Sequence, residues 1–210
     1  NPFITNHLKL LIMKTSKNFK TILFAACFAF LIPITSQAQE AENFLLNLTE
    51  FTVKFNHGTN FIDGVKKWNK CYKDNGGTDT WNVWHRLQGK GNVYTVASRM
   101  DNWAAMDVSD SAGKACRSIA LDFITPHIES REDNVASNMP KYSRTASMEG
   151  ISIAWVTSFK VTNSVAFNEV ISEVTSVVGT KEGDKRGYWY NVMGGEGATH
   201  FVTTPYKNFA

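Results

Sequence analysis

The chain has 210 residues, with 22 basic against 19 acidic side chains and a formal charge of +3. That excess lies in the first 38 residues, which carry Lys9, Lys14, Lys17 and Lys20 and no acid, leaving 18 bases against 19 acids beyond them. A near-neutral remainder of roughly 170 residues without a basic stripe gives no electrostatic case for nucleic acid, and suits one large or two small domains.

In chain order, residues 1–12 precede the first plausible start, Met13, and carry no fold information. Lys14, Lys17 and Lys20 then lead into an apolar run, Ile22 to Ile34, followed by Thr35-Ser36-Gln37-Ala38. A charged start, an apolar middle and a small-x-small end predict a secretory signal peptide over 13–38, cleaved after Ala38. The run falls short of the roughly 20 apolar residues that span a bilayer, so no stable membrane anchor is expected after cleavage. Phe24-Ala25-Ala26-Cys27 has the outline of a lipoprotein acceptor site, but Phe28 to Ile32 continue the apolar region. The expected location is secreted or periplasmic.

After Leu45 the pattern alternates, and Phe51, Val53 and Phe55 share one face of a predicted strand. Phe61, Ile62, Val65, Trp68 and Tyr72 follow at helical spacing and run into Asn75-Gly76-Gly77. Next comes a predicted hairpin, Trp81 to Leu87 and Asn92 to Ser98, around Gln88-Gly89-Lys90-Gly91. A polar break at Ser109 to Gly113 precedes a predicted helix from Lys114 to Val135, kinked at Pro126, and Lys141 to Met148 is a candidate closing strand.

An offset of 106 residues lays the chain on itself. It pairs Phe61 with Phe167, Gly77 with Gly183, Gly89-Lys90-Gly91 with Gly195-Glu196-Gly197, and Asn102-Trp103-Ala104 with Asn208-Phe209-Ala210. Element types coincide as well: a strand at Thr157, Phe159 and Val161, a helix through Phe167, Val170, Ile171, Val174 and Val178, and a hairpin of Tyr188 to Met193 with Ala198 to Thr204. Strand, helix, strand, strand, helix, strand is the split β-α-β order. The expected class is α+β: tandem ferredoxin-like βαββαβ repeats, the first over 45–148 and the second, incomplete, over 151–210. The second stops after its third strand, so a longer reading frame is expected.

Such a tandem resembles the dimeric α/β-barrel superfamily, in which two ferredoxin-like units pack sheet against sheet around a cavity. The resemblance covers Leu45 to Ala210 and rests on element order, the 106-residue period and the Gly-x-Gly hairpins. Members include antibiotic-biosynthesis monooxygenase-like, haem-degrading and chlorite-dismutase-like enzymes, stress-response proteins and uncharacterised exported proteins. Fold membership leaves function open. The resemblance implies a monomer closed within one chain or a homodimer, and its haem-binding members draw attention to His127 on the predicted second helix.

Candidate ligand-binding residues are Trp84, His85 and Arg86 on the second strand and Tyr94 on the third. Their counterparts at the same offset are Tyr190, Asn191 and His200. Side chains alternate along a strand, so either His85 or the Trp84–Arg86 pair meets a cavity. A cavity His or Arg binds carboxylates or moves protons near neutral pH, and aromatic walls suit a small apolar or aromatic ligand. Sheet packing accounts for the same aromatics. No zinc spacing, Gly-x-Ser-x-Gly, phosphate loop or dinucleotide fingerprint occurs, and no cofactor is required. His57, beside Gly58, reads as a turn or helix-capping residue.

Beyond the signal region the only cysteines are Cys71 and Cys116. Were Trp103 to Cys116 one straight helix, its rise of about 20 Å would put Cys116 out of reach. The break at Ser109 to Gly113 works against that, and the pairing stays open.

The leading reading is an exported small-ligand-binding protein with a barrel cavity. The alternatives are a cofactor-free or haem-dependent monooxygenase-like enzyme, and a structural or interaction module with a filled barrel.

Overall fold

The computed structural model describes residues 43–194 and 197–209. The predicted signal peptide at 13–38, the upstream residues 1–12, and Gly195, Glu196 and Ala210 lie outside the described residues. Among the described residues seven strands form one curled antiparallel sheet. They are β1 (Leu45–Val53), β2 (Asn82–His85), β3 (Asn92–Met100), β4 (Ile128–Asn138), β5 (Ile153–Phe159), β6 (Tyr188–Val192) and β7 (His200–Tyr206). Their order across the sheet is β2-β3-β1-β4-β6-β7-β5.

Helix α1 (Gly58–Asp74) follows β1, and its periodic apolar residues bury one face against the sheet. Phe61 is fully buried, with ring centroids 5.6 Å from Phe51 and 5.0 Å from Tyr94. Val53 completes this cluster, and Ile62, Val65, Ile124 and Ile128 pack around it. Burying one such side chain contributes about 1.5–3 kcal/mol. Between β3 and β4 the chain passes through a 3-10 turn (Trp103–Asp107), α2 (Ser111–Ala115), α3 (Arg117–Phe123) and a second 3-10 turn (Thr125–His127). Gly64 lets α1 close on α3: a Cβ there would lie 2.1 Å from the Phe123 carbonyl oxygen.

Three expectations from the sequence do not hold. The predicted helix from Lys114 to Val135 ends at Phe123, and Ile128–Asn138 is instead β4. Thr125 precedes a proline, which disfavours helical backbone, and Pro126 has no N–H to continue a helix. Beyond it β4 matches β1 from Leu45↔Ser137 to Val53↔Ile128, so tertiary pairing decides the conformation. The strand that follows α3 is therefore β4, and Lys141 to Met148 is irregular, with Ser143 Oγ donating to the Met139 carbonyl at 3.0 Å. Phe55 lies past the end of β1 and is 87% exposed, so it does not share the strand face of Phe51 and Val53.

The second half repeats strand, helix, hairpin. Helix α4 (Ser164–Glu182) packs Phe167 against Phe159, Trp189 and His200, with centroids 5.4, 6.1 and 4.8 Å apart. It joins the first half through β4 and β6, from Ala136↔Val192 to Asn138↔Tyr190. On its other side Val170, Val174 and Val177 are exposed, and among the described residues β5 has one unpaired edge.

Cys71 and Cys116 form a disulfide with Cα atoms 5.9 Å apart. The bridge forms because 103–116 is no single helix: its 3-10 turn ends at Asp107, and Asp110 caps α2 by accepting from the Gly113 N–H at 2.8 Å.

Candidate functional site

Strand register sorts the seven predicted residues onto two faces of the sheet. His85 lies opposite Tyr94, and Tyr94 opposite Phe51, which places all three on the face covered by α1. Asn191 and His200 pair in the same way on the face covered by α4. Trp84, Arg86 and Tyr190 project from the opposite face. There Arg86 Nη2 donates to Glu50 Oε2 at 3.0 Å, and Thr95 Oγ1 donates to Glu50 Oε1 at 3.2 Å. Tyr190 stacks on Phe201 with centroids 4.8 Å apart, and burial, helped by nearby Tyr188, pushes its phenol up to about 12. The structure thus brings His85 together with Tyr94 and Asn191 with His200, and keeps both pairs apart from Trp84, Arg86 and Tyr190.

His200 is 7% exposed, and its Nδ1 lies 3.0 Å from Thr199 Oγ1. Burial pushes its imidazole below the ordinary value of 6.5. Its ring packs on Phe167, with centroids 4.8 Å apart.

The Tyr94 pair is built differently. The His85 ring lies on the Tyr94 ring, with centroids 4.4 Å apart and planes 13° apart. His85 Nε2 meets Asn92 Oδ1 at 2.9 Å. An amide oxygen only accepts, so His85 donates from Nε2 and fixes the Asn92 amide with Nδ2 turned away from the ring. A Cβ built on Gly58 would lie 3.1 Å from Tyr94 Oη and 3.4 Å from Asn92 Nδ2. Glycine is what allows those polar ends to approach the start of α1.

Phe55, Asn56, Gly58, Thr59, Asn92 and Tyr94 line an open hollow of about 490 Å³ at this point. Asn56 takes φ 62° to turn the chain from β1 into α1, a conformation asparagine tolerates. Tyr94 is only 8% exposed, yet its hydroxyl has no hydrogen-bond partner among the described residues. Among the described residues, none that lines the hollow is acidic.

His57 caps α1 without a side-chain bond to the helix. Its Nδ1 faces His127 Nδ1 at 2.8 Å, tying the β1–α1 turn to the start of β4. His127, the residue singled out for haem, thus lies in the turn before β4 with one ring nitrogen on His57. Among the described residues no group of three or more His, Cys, Asp or Glu is placed to hold a metal ion. No helix there is long and apolar enough to cross a membrane.

Gly58 and Asn92 escaped the sequence reading. The signal for them is comparative: at the 106-residue offset they match Ser164 and Ala198, while His57 matches Asn163.

No family model and no curated protein matches the chain. Among solved structures it is similar to the "putative monooxygenase" of Lactobacillus acidophilus NCFM, with 13% identity, TM-score 0.52, and 80% of this chain and 78% of that one covered. A protein of the same description from Fusobacterium nucleatum subsp. nucleatum gives 14% identity and TM-score 0.48 over the same shares. An uncharacterised NIPSNAP domain protein from Burkholderia xenovorans gives 19% identity and TM-score 0.25, covering 43% of this chain and 90% of that one. The first likeness bears on the fold alone: an α+β chain with a curled seven-stranded antiparallel sheet.

Proposed function

We propose that this chain is an exported small-ligand-binding protein, built as a tandem ferredoxin-like barrel module, that takes its ligand in the hollow beside Tyr94. The observation that carries the reading is the Tyr94 hydroxyl, a polar group without a protein partner in an almost fully buried side chain. The hydroxyl opens onto the hollow, where a ligand atom takes the place of solvent as its partner. The stacked His85–Tyr94 rings and Phe55 suit a small apolar or aromatic body with one polar end.

The tandem reading draws on the shared strand-helix-hairpin order and on two equivalent core pairs, Phe61 with Tyr94 and Phe167 with His200. It also accounts for two bare surfaces. Val170 and Val177 on α4 correspond to Gly64 and Cys71, which α3 and Cys116 cover on α1. The free edge of β5 corresponds to the edge of β1 that β4 covers. Export draws on the 13–38 pattern and on a disulfide of the kind that persists in oxidising compartments. A monooxygenase-like activity, the alternative that the neighbour's name suggests, would use the same hollow, which Asn92 and Tyr94 line while His85 stacks on Tyr94.

A thermal-shift panel of small neutral and acidic aromatic compounds tests the reading. At least one compound raises the melting temperature of the wild type and does so less for Tyr94→Phe. A panel that shifts neither protein sinks it.

A further inference from the structure

The two halves solve the start of their first helix in different ways. In the second, Asn163 caps α4 conventionally, its Oδ1 accepting from the Ala166 N–H at 3.1 Å. In the first, the equivalent residue is His57, whose side chain turns to His127. The first turn of α1 contains no acidic residue. Phe61 N–H reaches the His57 carbonyl at 2.9 Å, while the Gly58, Thr59 and Asn60 N–H groups have no acceptor among the described residues. Helix starts leave such donors open, and the macrodipole of a 17-residue helix adds partial positive charge there.

Those donors do not stand alone. The unpartnered Tyr94 hydroxyl reaches the same place from a side chain that is 8% exposed, and Asn92 Nδ2 is held beside it by the His85–Asn92 bond. An acid-free first turn is common to both helices, but the glycine, the amide and the phenol are missing from the equivalent positions of the second half, where Gly58, Asn92 and Tyr94 are replaced by Ser164, Ala198 and His200. The shared fold therefore does not require them. Donors from the backbone, an amide and a phenol converge where no acid competes, an arrangement that favours an anion over a neutral group.

We infer that the hollow at the start of α1 is a carboxylate-binding site, so that the ligand is a small aromatic or apolar organic acid. Its carboxylate accepts from the Gly58 and Thr59 N–H groups, Tyr94 Oη and Asn92 Nδ2, with its body against the Tyr94–His85 edge and Phe55. This rests on the proposal above that the hollow binds a small ligand, and it specifies the chemical class.

Calorimetry with benzoate and its neutral isostere benzamide tests it, on wild-type protein and two variants. Benzoate binds at least tenfold more tightly than benzamide. Gly58→Ala, whose added methyl would crowd Tyr94 Oη and Asn92 Nδ2, weakens benzoate at least tenfold without lowering the melting temperature. His57→Asp supplies an internal carboxylate to the same N–H groups and abolishes benzoate binding. Benzamide binding as tightly as benzoate overturns the carboxylate assignment and leaves the ligand-binding reading standing. Binding of neither, together with a silent thermal-shift panel, overturns that reading as well. Benzoate affinity unchanged in both variants places the acid elsewhere and overturns this site.

Discussion

Reducing the Cys71–Cys116 disulfide should destabilise the chain by an amount set by the loop it closes. The two residues are 45 apart in sequence, and the chain-entropy relation gives about 4 kcal/mol for a loop of that length. Native strain and residual structure in the reduced unfolded chain lower that figure in practice, so about 2–4 kcal/mol is the expected range. For a chain of this size that is a fall in melting temperature of roughly 4–16 °C. Reduction leaves the fold in place, because Cys116 is fully buried and a thiol packs there as a small hydrophobe. Guanidinium unfolding with and without reductant, followed by the fluorescence of Trp68 and Trp81, reads the difference. These rings lie 5.3 Å apart near the bridge. The denaturant slope should rise on reduction, since the freed unfolded chain exposes more surface. A difference below about 0.5 kcal/mol would refute the view that this cross-link holds α1 to the segment before β4.

Other perturbations reach different parts of the structure. Gly64→Ala drives a methyl to 2.1 Å from the Phe123 carbonyl oxygen and should cost about 1–3 kcal/mol in denaturant melts, by forcing α1 from α3. Tyr94→Phe removes a hydroxyl that bonds to no described residue, so its melting temperature should match or exceed the wild type. Because burial lowers the His200 pKa, the unfolded chain takes that proton first. Stability is therefore full above about pH 6.5 and declines as the pH falls below it; titration-silent His200→Gln should flatten that part of a stability–pH curve. Burial alone would raise the Asp184 carboxyl, but N–H groups of Thr145, Ala146 and Lys185, with the charge of Arg144, outweigh it and hold it below the usual range. Its contribution is present above about pH 4 and lost as the pH falls through the lowered value; Asp184→Asn should cost on the order of 1 kcal/mol at pH 7.

Much of the fold is legible in the sequence, because periodicity reports burial. The α1 positions Phe61, Ile62, Val65, Trp68 and Tyr72 do form the inward face, and Asn92 to Ser98 lies wholly within β3. Residues 128–138 are where the reading fails. Ile-Glu-Ser-Arg-Glu-Asp has no clear period of its own, and its conformation comes from pairing with β1, a partner some 80 residues earlier. The break at Pro126 was legible; the strand beyond it depended on a distant neighbour.

The candidate site was half legible for a related reason. Tyr94 and His85 attract attention as an aromatic and a titratable group on adjacent strands, and they stack. Gly58 and Asn92 look like ordinary turn and strand-start residues until the fold sets them beside the Tyr94 hydroxyl. Residues with the same sequence promise, Trp84, Arg86 and Tyr190, belong to the other face of the sheet, where Arg86 is already bonded to Glu50. Residue type shows what a side chain is able to do, whereas strand parity and register decide what it meets.

The most direct measurement is a ¹H–¹⁵N correlation spectrum of the chain titrated with benzoate. The account predicts saturable shifts concentrated on the Gly58, Thr59 and Asn60 amides and the Asn92 side chain, with the α4 start at Ser164 to Ala166 unmoved. Shifts spread evenly over the surface, or centred on the Trp84–Arg86–Tyr190 face, would contradict it.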